Sequence, residues 1–163
     1  MSAVLKLPFF GLGKARGFSV RPMVEGDLEA VLEIERACYQ FPWSEGVYRD
    51  CLRVGYCCWV AERKFKIGGY GVMSVDAREA HILNLCIRSD WQGKGLGRVL
   101  LDRLLAVARE HHAETIFLEV RPSNQAAIKL YQRAGFTEAG VRENYYPTAN
   151  GRENAIVLAL DLG

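Results

Sequence analysis

Apolar residues recur along this chain with two different periods, and the switches between those periods predict its elements. Phe18-Ser19-Val20-Arg21 alternates as a short strand and is stopped by Pro22. From Asp27 onward Leu28, Val31, Leu32, Ile34 and Ala37 share one helical face, with Glu29, Glu33 and Arg36 outside. Phe41-Pro42-Trp43-Ser44 interrupts the pattern: proline ends one element, and Ser44 can cap a second helix reaching about Val54. Residues 56–62 and 66–75 read as two strands joined by a charged turn at Arg63-Lys64. Gly68, Gly69 and Gly71 in the second strand predict bends or a close backbone approach. Residues 81–87 are almost continuously apolar, as in a strand covered on both faces.

The next segment, residues 95–112, places Leu96, Leu100, Leu104 and Val107 on one helical face, widened by Leu101 and Leu105. No glycine closes it, so His112 or a neighbour must take the left-handed turn. Thr115-Ile116-Phe117-Leu118-Glu119-Val120-Arg121 is a buried strand ended by Pro122. Ser123 can cap a helix running to Ala134, with Gly135 as its stop. Residues 136–143 and 152–162 are two further strands around a loop, Asn144 to Gly151, whose Asn150-Gly151 pair signals a turn. Strands first, then strand-helix-strand-helix-strand-strand, predict an α/β fold: a mixed sheet with helices on both faces. A single domain over residues 18–163 follows an extension, residues 1–17, that carries apolar residues broken by glycines and Pro8. That extension makes a poor signal peptide and reads as loosely packed or disordered.

Composition narrows the classes. A chain of 163 residues, half of them apolar, suits one sizeable core. A net charge of +2 gives no basic stripe for nucleic acid or a membrane surface, and no apolar run approaches the ~20 residues that span a bilayer. Five cysteines, an odd number without a Cys-x-x-Cys pair, read as free thiols in a reducing, cytoplasmic compartment and offer no metal site. Nothing in the pattern specifies an oligomeric state.

The candidate chemistry centres on Gln92-Gly93-Lys94-Gly95-Leu96-Gly97-Arg98, between an apolar strand and a long helix. Alternate glycines let the backbone approach a ligand closely, and the helix start presents unpaired amides at its positive end. Such a turn holds a phosphate or pyrophosphate, with Lys94 and Arg98 adding charge; the alternative is a glycine-rich turn that binds nothing. The dinucleotide fingerprint fails because Arg98 stands where its third glycine belongs, and the P-loop fails because Gly95 follows Lys94. Strand alternation puts Glu119 with Thr115 and Phe117, opposite Ile116, Leu118 and Val120. A carboxylate there is either paired, for instance with Arg121, or desolvated and fit to act as a base. Asn124, Ile128 and Tyr131 share a helical face; Tyr131 is either a core residue with its hydroxyl at the edge or a proton donor. The Phe41 to Ser44 bend is either a hydrophobic staple or the lip of a site. Cys86 reads as apolar filler rather than a nucleophile.

Gln-x-x-Gly-x-Gly at residues 92–97 resembles the acetyl-coenzyme A signature of the GNAT family of N-acetyltransferases. The likeness extends over residues 18–162. Glu119-Val120-Arg121 with Ser123-Asn124, Asn144-Tyr145-Tyr146-Pro147 and Phe41-Pro42-Trp43-Ser44 resemble its branch that acetylates the N-terminal alanine of a small-subunit ribosomal protein. That resemblance implies acetyl-CoA as cosubstrate, no metal, and a ribosomal protein N-terminus as the partner bound. It implies that the backbone of Leu85, Cys86 and Ile87 pairs with the pantetheine arm, and that Gly93, Lys94, Gly95, Leu96, Gly97 and Arg98 hold the pyrophosphate. It further implies that Asn124 bonds the pantetheine, that Glu119 is the base and Tyr131 the acid, and that Phe41, Trp43, Tyr145 and Tyr146 frame a peptide groove. The extension over residues 1–17 departs from the family pattern. Two other readings stand beside this one: an acetyltransferase acting on an amino sugar or polyamine, and a coenzyme A-binding regulatory domain without turnover.

Overall fold

The computed structural model describes residues 17–163; the expected extension lies outside them except for Gly17. The first strand is Ser19–Pro22 (β1), followed by a single 3-10 turn at Glu25–Asp27 and helix α1 at Leu28–Cys38. Ser44 caps α2, Glu45–Arg53, its hydroxyl accepting from the Val47 amide at 3.3 Å. Three strands follow, Cys57–Arg63 (β2), Lys66–Asp76 (β3) and Glu79–Ile87 (β4). A 3-10 turn at Ser89–Trp91 leads into α3 at Leu96–Glu110, which ends with His112 at φ +61°, the left-handed position expected of it. The chain closes with Thr115–Val120 (β5), Gln125–Arg133 (α4), Thr137–Thr148 (β6) and Gly151–Asp161 (β7).

Two local expectations change. Asn124, not Ser123, caps α4: its Oδ1 accepts from the Ala127 amide at 3.2 Å, because a turn from Arg121 to Asn124 delays the helix by one residue. Asn144 to Thr148 is not a loop but the end of β6, paired with β7 as far as Thr148 and Gly151. Pro147 is tolerated there because β6 is a sheet edge, where one ladder side needs no N–H. A register break between Arg142 and Tyr146, with Asn144 at φ +52°, absorbs the extra residues.

The seven strands form one sheet in the order β1-β2-β3-β4-β5-β7-β6, antiparallel throughout except for β4 and β5. Helices α1 and α2 cover one face, with Leu28, Val31, Leu32 and Tyr48 packed on Val60, Tyr70 and Val72. Helix α3 covers the other with Leu101, Leu104, Leu105 and Ala108 against Met73, Ile82, Ile116 and Leu118. Each Leu, Ile, Val or Met side chain among these contributes about 1.5–3 kcal/mol by leaving water. Gly68 permits one close approach: a Cβ there would lie 1.6 Å from the Trp91 ring.

The parallel pair is short. β4 and β5 pair only from Glu79 and Thr115 to Ile82 and Leu118. β4 then runs on beside β3 to Ile87, and β5 beside β7 to Val120. Where they part, β4 carries a bulge that skips Leu83 between the Met73–Ile82 and Val72–Asn84 pairs. The extra residue bends and twists the strand, so residues 84–87 swing away from β5. A V opens in the middle of the sheet.

Arg21 ties β1 to the 3-10 turn that leads into α1 and to β2. Its guanidinium bonds both Asp27 oxygens at 2.8 Å and reaches Glu62 at 3.0 Å. The Arg21 hydrogen bonds hold the Asp27 carboxyl below its usual range, against the opposing effect of burial. A depressed folded pKa means that the contact stabilises above the unfolded value of about 3.9 and is lost as pH falls through the folded one. Asp27→Asn should therefore lower the unfolding free energy by about 1–3 kcal/mol at neutral pH. Urea titrations should show the gap between variant and wild type closing in strong acid; a gap independent of pH would refute this account.

Candidate active site

The V holds two cavities that meet. The larger, about 780 Å³, lies between the diverging end of β4, the start of α3 and helix α4. Leu85, Cys86 and Ile87 form one wall, where β4 has no strand partner on the β5 side. Gly93, Gly95, Leu96, Gly97 and Arg98 form the end. Gly93 and Gly95 stand at φ +77° and +84°, conformations that strain any residue with a Cβ. They set the first turn of α3 at the cavity end, and that turn carries no acidic residue to oppose an anion. Arg98 also pairs with Asp102 at 2.8 Å. Lys94 lines a neighbouring basic pocket with Arg63, Lys64 and Lys66, and Trp91 borders both that pocket and the larger cavity. Lys129 and Arg133 of α4 supply the cations that sequence reasoning missed. Neither belongs to the glycine turn that opens α3, so only the fold brings them in.

The smaller cavity, about 380 Å³, is lined by Phe41, Trp43, Tyr145 and Tyr146, with Glu119 in its wall. Asn124, Tyr131, Tyr39 and Leu85 line both cavities and so mark their junction. Tyr131 is 7% exposed, its ring edge-on to Phe136 at 5.6 Å. Burial, then the neighbouring Tyr146 and Cys86, push its pKa well above the usual tyrosine value, so the hydroxyl keeps its proton at neutral pH. Asn124 uses its side-chain oxygen in capping α4, which leaves the amide nitrogen free to donate into the junction.

Glu119 lies on the β5 face turned away from α3, with its side chain 8% exposed. It is paired, but not with Arg121. One oxygen contacts His81 Nε2 across the parallel strands, and the other lies 3.6 Å from the Arg142 guanidinium. Arg121 is taken by Glu153 at 3.0 Å and by the Pro147 carbonyl at 3.1 Å, and it stacks on the Tyr146 ring. Pairing and access to the cavity thus coexist at Glu119.

Two further residues escaped the sequence reading. Tyr39 donates to Asn84 Oδ1 at 3.1 Å and to the Leu85 carbonyl at 3.4 Å, between the cavities. Glu35 is buried in α1 and lines the smaller cavity. Its signal was present: it stands seven, four and three residues after Leu28, Val31 and Leu32, inside the apolar stripe. Cys86 faces the larger cavity, but burial pushes its thiol up to about 12, which leaves almost no thiolate at neutral pH. Among the described residues no group of three His, Cys, Asp or Glu side chains could hold a metal ion, and no helix is long and apolar enough to cross a membrane.

Known proteins resemble this chain in sequence and fold. Residues 28–136 match the family described as Acetyltransferase (GNAT) family. The ribosomal protein bS18-alanine N-acetyltransferase of Escherichia coli K12 is 40% identical over 136 residues, which is 83% of this chain and 92% of that protein. A crystal structure of the ribosomal-protein-S18-alanine N-acetyltransferase from Escherichia coli superposes with a TM-score of 0.83 at 37% identity, covering 90% of this chain and 94% of the other. The yncA protein of Salmonella typhimurium, solved with its cofactor acetyl-CoA, shares the fold at a TM-score of 0.76 and 22% identity, over 90% and 94% of the two chains. With the glycine turn, the splayed strands and a relative of this identity along most of both chains, the protein belongs to the GNAT acetyltransferase family.

Proposed function

We propose that this enzyme acetylates the α-amine of the N-terminal alanine of a small-subunit ribosomal protein, in the cytoplasm, by direct transfer from acetyl-CoA. The observation that carries the reading is the meeting of the two cavities at Tyr131, with Glu119 in the wall of the aromatic one. The curated relative at 40% identity is named for that reaction.

Acetyl-CoA, when bound, supplies an acetyl group activated as a thioester. The protein's part is to hold it, prepare the amine and return a proton. The amides of residues 93–98 grip the pyrophosphate, and Lys129 and Arg133 add positive charge along the same cavity. The free edge of residues 85–87 pairs with the pantetheine amides as a strand would, and Asn124 donates to them. An N-terminal amine suits this machinery. With a pKa of ~7.7–8.0, roughly a tenth is neutral at pH 7, whereas a lysine at ~10.4 is almost entirely charged. Glu119, through water, takes the proton from the ammonium form, and the freed lone pair attacks the thioester carbonyl. Tyr131 gives its proton to the departing sulfur and is made good by the second proton, which the nitrogen sheds as the amide forms. The burial that raises the tyrosine pKa also disfavours a bare thiolate beside it, so the transfer proceeds as the carbon–sulfur bond breaks. Backbone N–H groups of β4 are the natural donors to the developing oxyanion. Phe41, Trp43, Tyr145 and Tyr146 frame the first residues of the peptide.

Glu119→Gln and Tyr131→Phe should each lower kcat by about 10²-fold or more, while calorimetry still shows acetyl-CoA binding. Wild-type rates in both would remove their assigned roles. Cys86→Ala should keep kcat within about threefold, since no covalent acyl-enzyme is formed; a collapse of activity would reinstate the thiol as nucleophile. By mass spectrometry, a peptide beginning Ala-Arg should gain one acetyl group at its α-amine, and free polyamines or amino sugars none. The reverse preference would overturn the acceptor.

A further inference from the structure

Glu35 is the costliest residue that this chemistry leaves unused. It is 1% exposed on the inner face of α1 and borders the smaller cavity. One carboxylate oxygen accepts from Tyr48 at 2.8 Å, Tyr70 at 2.6 Å and Asn84 Nδ2 at 2.9 Å. The other accepts from the backbone N–H of Trp43 at 2.8 Å. All four donors are neutral. Taking a carboxylate out of water costs several kcal/mol, and an apolar residue on this helix face would serve stability at least as well. What the carboxylate holds is therefore the informative point.

Three of its donors come from α2, β3 and β4, elements already fixed by the core. The fourth belongs to the connector of residues 39–44, which has no regular secondary structure. Pro42 has no N–H to offer, so the Trp43 amide is the tether next to it. From that tether the Trp43 ring packs on Tyr48 at 5.3 Å, and Phe41 and Trp43 form one wall of the cavity. Through Asn84 the same carboxylate sets Tyr39, whose hydroxyl bonds Asn84 Oδ1 between the two cavities.

We propose that Glu35 is a positioning residue for the acceptor, holding the Trp43 amide and Asn84 so that the 39–44 connector forms a fixed wall of the acceptor cavity. The inference rests on reading that cavity as the acceptor site. A glutamine of the same size does not replace it. A carboxylate accepts on both oxygens, whereas a carboxamide presents its NH2 either to the Trp43 N–H, where donor meets donor, or to Asn84, which must then turn over and give up the Oδ1 that Tyr39 bonds. Either the Trp43 tether or the setting of Asn84 and Tyr39 is lost.

The test is steady-state kinetics and hydrogen exchange on the full-length Glu35→Gln enzyme, with acetyl-CoA and an Ala-Arg N-terminal peptide. The acceptor KM should rise about tenfold, while kcat and the KM for acetyl-CoA stay within about threefold, and amide exchange in the connector should quicken. Tyr48→Phe removes a donor from the same carboxylate and a second acceptor from Asn84 Nδ2, but leaves the Glu35 bonds to Trp43 and Asn84, so it should lower the melting temperature without changing the acceptor KM. An unchanged acceptor KM in Glu35→Gln, or an equal rise in Tyr48→Phe, overturns the proposal. If Glu35→Gln does not fold, Glu35→Asp keeps the charge, shortens the reach by one methylene and should raise the acceptor KM in the same direction. If the wild-type enzyme leaves the peptide untouched, the reading of the acceptor falls instead. Connector exchange then decides the role of Glu35: quickened exchange supports it and unchanged exchange refutes it.

Discussion

Neighbouring parallel strands in a buried sheet hold together because every unmade ladder bond leaves a donor and an acceptor without a partner. β4 and β5 separate after four residue pairs all the same, at the point where the skipped Leu83 bends β4. The rest of the molecule is arranged to make that separation bearable. The Leu85 carbonyl on the parted strand receives the Tyr39 hydroxyl, and the Ile87 carbonyl receives the Gln92 side chain. Both parted strands keep their outer neighbours, β3 and β7, so the sheet opens without losing its ends. The gap is then lined on one side by open backbone and on the other by α4.

Two kinds of chemistry meet across that gap. The glycine turn needs only backbone, placed by left-handed Gly93 and Gly95 at the head of a helix anchored deep in the core. The opposite wall depends on side chains whose settings are shared: Glu119 between His81 and Arg142, Arg121 between Glu153 and Tyr146, Glu35 beneath Trp43. Each belongs to a network that spans strands or helices far apart in the chain. A ligand entering the gap therefore meets a surface in which few groups move alone.

What the sequence made legible was local. The glycine turn, the face of Glu119, the Ser44 cap and the left-handed His112 all follow from spacing within one element, and the structure has each of them. Glu35 was legible in part, because a carboxylate in an apolar stripe is an anomaly that periodicity exposes. Pairings between distant segments were not legible. Nothing near Glu119 points to His81, thirty-eight residues earlier, and Arg121 looked like the natural partner until Glu153 of β7 claimed it. The continuation of β6 through Tyr145-Tyr146-Pro147 was hidden for a related reason. Its proline and polar residues suit a loop in isolation, and only a place at the rim of the sheet makes them strand.

The rim has a consequence of its own. A sheet left open at its middle to receive a ligand risks being read by other polypeptides as a template for strand addition. β6 discourages this on its outer flank with two breaks in register, charged Glu138, Arg142 and Glu143, and Pro147 near its end. At the opposite margin β1 is four residues long and finishes at Pro22. Among the described residues both flanks thus discourage edge zippering, and the one hospitable strand faces inward.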